Sequence, residues 1–223
     1  MAVTDEAIGK IKGMIVSGAL RPGDRLPKEA DLAAELGLSR NSLREAVKAL
    51  SLLNILDVRQ GDGTYVSSLE PAALLEAVSF VLDFHRDDTV LQAFQVRGIL
   101  EPAATAMAAR LIDPEQLAGL RELLAGLGER PSVEALVASD LEFHRRIAEA
   151  AGIPLLCSLL DTISAPTVRA RLWRGITQQD AVARTLAEHT AILEALEEGD
   201  PETARAWATV HVASITRWLS TAL

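Results

Sequence analysis

The sequence predicts a mostly α-helical protein: an N-terminal winged helix-turn-helix joined to a C-terminal antiparallel bundle of six or seven helices. Three observations carry this. Ala and Leu dominate a chain that is 49% apolar and only 4% aromatic, which favours close-packed helices over sheets. Near residue 54 the hydrophobic period switches from helical to alternating, around a glycine-rich turn. From Leu74 onward the apolar spacing is helical again, interrupted only at short breaks. A chain of 223 residues holds one large domain or two small ones. The expected division is residues 1–68 and 74–223, with Ser67 to Ala73 as the hinge.

In the first segment Ile8, Ile11 and Ile15 recur at helical spacing, and Gly18 ends the run. Pro22-Gly23 signals a turn and Pro27 a helix opening. Leu32, Ala33 and Leu36 mark one face of a short second helix, which Gly37 breaks. Ser39 is placed to cap a third helix from Arg40 to about Leu53, with Leu43, Ala46, Val47 and Leu50 as its inward stripe. ILDV then reads as a strand, RQGDG as a tight turn and TYVSS as the returning strand.

In the second segment, breaks are expected at Asp87-Asp88, Asp113-Pro114, Glu129 to Ser132, Gly152 to Pro154, Ala165-Pro166, Gly175 to Gln179 and Gly199 to Pro201. The lone cysteine, Cys157, excludes an intrachain disulfide and reads as a buried small hydrophobe in IPLLCSLL. No run approaches the length of a membrane span and no cleavable signal precedes the first basic residues. A cytoplasmic protein without a membrane partner is expected.

A net charge of −9 looks wrong for a nucleic-acid binder, but it is unevenly spread. Residues 1–68 carry nine Lys/Arg and nine Asp/Glu, whereas residues 69–223 carry thirteen Arg and twenty-two acids. Phosphate binding needs a local basic face rather than a basic whole. Arg40, Arg44 and Lys48 lie on one side of the third helix, opposite its apolar stripe, with Asn41 and Ser42 in the first turn. Such a helix fits the major groove, and its first turns reach base edges. Arg40 and Arg44 are the leading candidates for base or phosphate contact, and Lys48 for phosphate. Ser39 and the free amides of the helix start are further phosphate candidates. Arg59 is one in the hairpin, where Gly61 and Gly63 have no side chain to block approach to a groove wall.

The run LRPGDRLPKEADLAAELGLSRNSLREAVKAL, followed by QGDGTYV, resembles the DNA-binding domain of the GntR superfamily over residues 8–67. The resemblance implies operator contacts from Arg40, Arg44 and the wing-tip Gly61. Relatives often carry an arginine where this chain has Ala30, which puts the usual operator sequence in doubt. They also carry a glycine where this chain has Asn54, a residue that tolerates a left-handed turn.

Asp140 and His144 are one helical turn apart and share a face flanked by Leu141, Ile147 and Ala148. His189 lies among Leu186, Ile192 and Leu193, and His211 among Val210, Val212 and Ile215. Polar side chains on inward faces need partners. Two readings stand on the residues alone: the four share a divalent cation, or they are unrelated, one core-packed against a carboxylate and another on the surface. His85, in FHRDD, reads as a helix-end residue.

The segments VRGILEPAATAMAA, DLEFHRRIAEAAG and EHTAILEALEEGD, together with His211, resemble the helical FCD domain of FadR-like regulators over residues 74–223. The resemblance to metal-containing members implies that Asp140, His144, His189 and His211 are ligands to one divalent transition metal per chain, zinc or nickel by chemistry. The fatty-acyl-responsive members lack this set, so an acyl-CoA effector is not expected. Ile153 stands where relatives often have Asn. Arg97 has two readings: an i,i+4 ion pair with Glu101, or, as the resemblance implies, a guanidinium that grips the carboxylate of a small effector.

The expected function is a metabolite-responsive DNA-binding regulator, a repressor in most of the family. It would act as a homodimer on a palindromic or near-palindromic operator. The alternatives are a metal-dependent enzyme acting on a small carboxylate, or a regulator whose helical domain is only structural. Against catalysis, no nucleophile arrangement, glycine-rich phosphate loop or Cys-x-x-Cys motif is present. No second carboxylate is clearly placed as a general base, since Glu142 and Glu149 have a different helical phase from Asp140.

Overall fold

The computed structural model describes residues 3–71, 75, 86–128 and 130–222. The chain divides into two compact units, residues 1–77 and 78–223, each with a core of its own.

The first unit runs α1 (Val3–Val16), α2 (Glu29–Leu36), α3 (Arg40–Leu52), β1 (Leu56–Arg59) and β2 (Gly63–Val66). Its core joins Ile11, Leu32, Leu43, Ala46, Val47 and Leu50 to Leu56 and Val66 of the hairpin. Each such aliphatic side chain contributes about 1.5–3 kcal/mol when fully buried. The predicted inward stripe of α3 is therefore the one that packs. Ser39 caps α3 by accepting a hydrogen bond from Ser42 N at 3.0 Å. Asn54 takes the left-handed turn expected of it, with φ 54°. Pro27 does not open α2: Lys28 is the N-cap and the helix begins at Glu29, so the proline shapes the extended entry instead.

The strands pair antiparallel, Leu56 with Val66 through Arg59 with Gly63. Ile55 precedes β1, and Ser67 and Ser68 lie beyond β2. The hairpin's two glycines serve different purposes. Gly61 has φ +78°, a conformation that side chains rarely adopt. At Gly63 a Cβ would stand 2.7 Å from Arg25 Nε. Arg25 also donates to the Asp62 carbonyl and bridges to Tyr65, so it buttresses the wing from the α1–α2 connection.

The second unit contains seven α-helices among the described residues: α4 (Arg86–Leu111), α5 (Pro114–Ala125), α6 (Val133–Ala150), α7 (Pro154–Ser164), α8 (Val168–Thr177), α9 (Ala181–Glu197) and α10 (Pro201–Ala222), with a 3₁₀ turn at Ala165–Thr167. Most predicted breaks have a local cause. Asp113 and Gln116 form a capping box at α5, Ser132 caps α6, and Gly152 and Gly199 are left-handed. One break is misplaced, and the one expected from Gly175 to Gln179 starts late, since α8 runs on to Thr177 before α9 begins at Ala181. Asp87 and Asp88 lie within α4. Gly175 lies within α8, and a Cβ there would collide with Val133. Packing, not chain reversal, accounts for that glycine.

Phe143, Ile147, Ile192 and Leu196 form one core cluster, and Phe94, Val212, Ile215 and Leu219 another. Cys157 is only half-buried, contrary to the expectation of a core residue. Its thiol faces the Asp161 carboxylate at 3.9 Å, and burial, followed by the Asp161 charge, raises its pKa to about 11. The helix α7 turns its apolar run partly outward there, which period alone does not reveal. His85, Ala72 and Ala73 lie outside the described residues. Among the described residues no helix is long and apolar enough to cross a membrane.

Candidate metal centre and nucleic-acid interface

On α3, Arg40, Asn41, Arg44 and Lys48 are exposed, and Ser42 is half-buried. The exposed cations are loosely engaged by neighbours. Arg44 Nη2 lies 3.0 Å from Glu29 Oε2, and Lys48 Nζ lies 2.9 Å from Glu45 Oε1. In the wing, Arg59 Nε lies 2.9 Å from Asp57 Oδ2, with the guanidinium 4.2 Å from the Tyr65 ring centre. Ser39 Oγ is shared between the Ser42 amide and the Ser42 hydroxyl at 2.7 Å, so the cap occupies the oxygen expected to help hold phosphate. Exposed ion pairs are weak and screened. A nucleic-acid phosphate or guanine edge can take over such donors at small cost.

In the second unit, α6, α9 and α10 bring together the four residues predicted as ligands. One donor atom from each of Asp140, His144, His189 and His211 lies within 4.8 Å of the other three, and all four residues are buried. The three imidazoles present the same atom to one carboxylate oxygen. The Nε2 atoms of His189, His211 and His144 lie 3.2, 3.3 and 3.8 Å from Asp140 Oδ1. None of these Nε2 atoms has a properly aligned hydrogen-bond partner among the described residues. Phe143 stacks on His189 at 4.6 Å and meets His144 edge-on at 5.5 Å, which fixes both rings.

Further groups complete the centre, and sequence reasoning missed most of them. Glu188 Oε2 accepts a hydrogen bond from His211 Nδ1 at 2.9 Å. With Nδ1 held by Glu188, Nε2 is the atom turned to the cluster. Burial opposes charge on this ring, but Asp140 and Glu188 together outweigh it and raise its pKa. Glu101 Oε2 lies 3.8 Å from His144 Nδ1. Arg171 donates to Asp140 Oδ2 and orients that carboxylate. Helical phase does not reveal that two further carboxylates, Glu101 and Glu188, face the imidazoles; each is already engaged, by Arg97 and by His211. Glu142, expected to face elsewhere, lines the same cavity as His144 and Arg171.

Arg97 and Glu101 do form the predicted pair, but fully buried rather than at the surface. The pair leaves Arg97 Nη2 without a hydrogen-bond partner among the described residues. Glu188 precedes a histidine of the cluster, which was a signal of sorts. Arg171 had one too: Thr167, Ala170, Arg171 and Arg174 are all buried, at i, i+3, i+4 and i+7. That is a regular inward stripe, unrecognised because its large members are arginines.

Electrostatics follow burial and these partners. Burial raises the Asp140 pKa, but Arg171, His189 and His211 outweigh it and hold the group well below the carboxylate range. Burial likewise opposes charge on Glu101, yet Arg97 and then His144 bring it to about 2. Burial keeps His144 and His189 neutral, the state in which imidazole binds metals. Burial lowers Arg171 to about 10, with Arg97 adding to the effect.

Residues 92–214 match the FCD domain, and residues 3–66 match the bacterial regulatory proteins of the gntR family. The chain belongs to the GntR/FCD family of transcription regulators. It is 29% identical to the transcriptional regulator LutR of Bacillus subtilis, over 93% of this chain and 96% of that protein. It is also 29% identical to the galactonate operon transcriptional repressor of Escherichia coli, over 97% and 96%. Its structure is similar to a GntR protein of Streptococcus agalactiae, with a TM-score of 0.71 and 27% identity, covering 96% of this chain and 99% of that one. These relatives are regulators rather than enzymes, and GntR regulators bind operator DNA.

Three imidazole nitrogens and one carboxylate oxygen converge, buried. The nitrogens lack aligned partners, and Glu188 holds Nδ1 of one ring so that its Nε2 is turned to the cluster. Buried polar atoms without partners are costly, and a cation would satisfy all three at once. The residues fit a divalent transition ion.

Proposed function

We propose that this GntR/FCD regulator is a metabolite-responsive repressor whose helical unit holds one divalent transition metal, zinc or nickel, and binds a small carboxylate. Asp140, His144, His189 and His211 would be the ligands. The observation that carries this reading is the convergence of three buried Nε2 atoms, none with an aligned partner, on one oxygen of Asp140. When bound, the ion supplies a Lewis-acid centre that attracts the effector's oxygens. Arg97, with its buried Nη2 unpartnered, would contribute a donor to the carboxylate. The galactonate operon repressor among the relatives is named for a hydroxylated carboxylate, which agrees with this class of effector.

In the cytoplasm, Arg40 and Arg44 would contact bases or phosphates. Asn41, Ser42, Ser39, Lys48, Arg59 and Gly61 would support that contact. A homodimer would pair two such faces on a palindromic or near-palindromic operator. The effector would act by linkage: it binds one arrangement of the dimer more tightly and so shifts the operator affinity. Ala30 and Ile153 would adjust operator and effector choice.

The test is metal analysis of protein purified without an affinity tag, alongside operator binding followed by fluorescence anisotropy. About one zinc or nickel per chain is expected, with His189→Ala losing both the metal and the effector response while still binding DNA. Metal-free protein whose operator affinity responds fully to a carboxylate would remove the metal from the reading.

A further inference from the structure

The backbone ladder of the wing stops short of its tip. At the base, the α1–α2 connection runs beside β2 like a third strand. Gly23 N donates to Val66 O at 2.9 Å, Val66 N to Asp24 O at 2.8 Å, and Leu26 N to Thr64 O at 2.8 Å. A two-stranded hairpin is marginal by itself, so this segment steadies it. The pairing of β1 with β2 ends at Arg59 and Gly63, and among the described residues the backbone bonds from the connection end at Thr64. A cavity of about 410 Å³, lined by Leu43 and Val47 of α3 and by Val58 and Gly61 of the hairpin, lies beside the tip. Packing on α3 therefore does little to hold it.

Arg25 supplies the missing support. Its Nη2 donates to the Asp62 carbonyl. Its Nε, Nη2 and Cζ lie 2.7, 3.1 and 3.2 Å from where a Cβ of Gly63 would stand. The flat guanidinium thus fills the space of the absent side chain. Gly63, expected to clear a path to a groove wall, makes room for Arg25 instead. Tyr65 joins the arrangement. Its hydroxyl donates to Asp62 Oδ2 at 2.9 Å. Its ring centre lies 6.0 Å from the Arg25 guanidinium carbon and 4.2 Å from that of Arg59.

We infer that Arg25 is a positioning residue for operator binding: seated on Gly63 and bonded to Asp62, it presets the wing tip that carries Arg59 and Gly61 to the DNA. A tip already fixed loses less freedom on binding. The inference rests on the wing-contact reading above and deepens it. Both contacts use the planar fork of arginine, so lysine is no substitute.

The test compares Arg25→Gln and Arg25→Lys with the wild type as full-length chains. Hydrogen-exchange mass spectrometry reads the free proteins. Fluorescence anisotropy over a salt series reads binding to an operator duplex selected from random DNA by the wild type. Both variants should speed exchange across residues 59–65 at least about fivefold with α3 unchanged. Both should weaken operator binding roughly two- to tenfold and keep the slope of log affinity against log salt. Unchanged exchange in the wing overturns the inference and leaves the wing contact standing. Equal acceleration in α3 makes Arg25 a general support of the unit and overturns it too. A loosened wing with full operator affinity removes the wing contact and the inference together. Full affinity in Arg25→Lys alone means that charge suffices, and a slope lower by about one in Arg25→Gln assigns the residue to phosphate. Either result overturns the positioning role.

Discussion

Arg44 and Arg171 are each held by a single carboxylate, and there the likeness ends. Arg44 lies in solvent, 3.0 Å from Glu29 on a neighbouring helix. Arg171 is dry, bound to Asp140, with two further nitrogens unpartnered among the described residues. Water can replace Glu29 at little cost, so the Arg44 pair is a resting position that DNA can displace. Nothing comparable can replace Asp140, because the alternative is a bare buried charge. The first unit keeps its reactive charge exposed and exchangeable. The second stores it in a centre that its own residues leave incomplete.

The sharpest way to break that contrast is Glu101→Ala. It would leave Arg97, which is fully buried, without its counter-charge. Breaking a buried pair from one side costs about 3–5 kcal/mol. For a chain of this size the melting temperature should fall by roughly 6–20 °C in a calorimetric scan. A shift of less than about 2 °C would mean that water reaches the pair, and the description of this unit as a dry store of charge would fail.

Chelation is the next test and concerns the cluster as a whole. A bound ion at a hundred to a thousand times its dissociation constant stabilises the folded state by about 3–4 kcal/mol. Adding a strong chelator should therefore lower the melting temperature by roughly 6–16 °C, and added zinc or nickel should restore it. No shift with chelator, in protein shown to carry metal, would make the ion irrelevant to folding. The first unit, which contains none of the four ligand residues, should keep its operator affinity in the absence of effector.

How much of this was legible in the sequence also differs between the two units. In the first, local rules suffice: Ser39 caps, Gly37 terminates, and the Leu43–Leu50 stripe packs as its spacing requires. Each signal acts within a few residues. In the second, the four ligand types could be recognised, but their shared Nε2 geometry and the buried partners could not. Arg171 reaches Asp140 across 31 residues and Glu188 reaches His211 across 23, and no local period encodes either contact. The errors follow the same logic. Run composition and helical phase misplace Cys157 and Glu142, because tertiary packing decides both: Cys157 is only half-buried, and Glu142 lines a cavity with His144 and Arg171.

Arg44→Ala sharpens the other side of the comparison. Loss of a base-contacting arginine should weaken operator binding roughly 10- to 100-fold and relax sequence preference at one position. The melting temperature should not change measurably, since the Glu29 pair is exposed. Equal weakening on specific and random DNA would reassign Arg44 to phosphate.

Lys48→Gln should have the smallest effect, and it tests whether position along α3 grades the contacts. Lys48 lies two turns beyond Arg40 and is held by Glu45 within its own helix at 2.9 Å. If it meets only phosphate, its removal should weaken binding a few-fold, equally on all sequences. The slope of log affinity against log salt should fall by about one. An unchanged slope would place Lys48 off the DNA altogether, and the interface would then end within the first turns of α3, at Arg44.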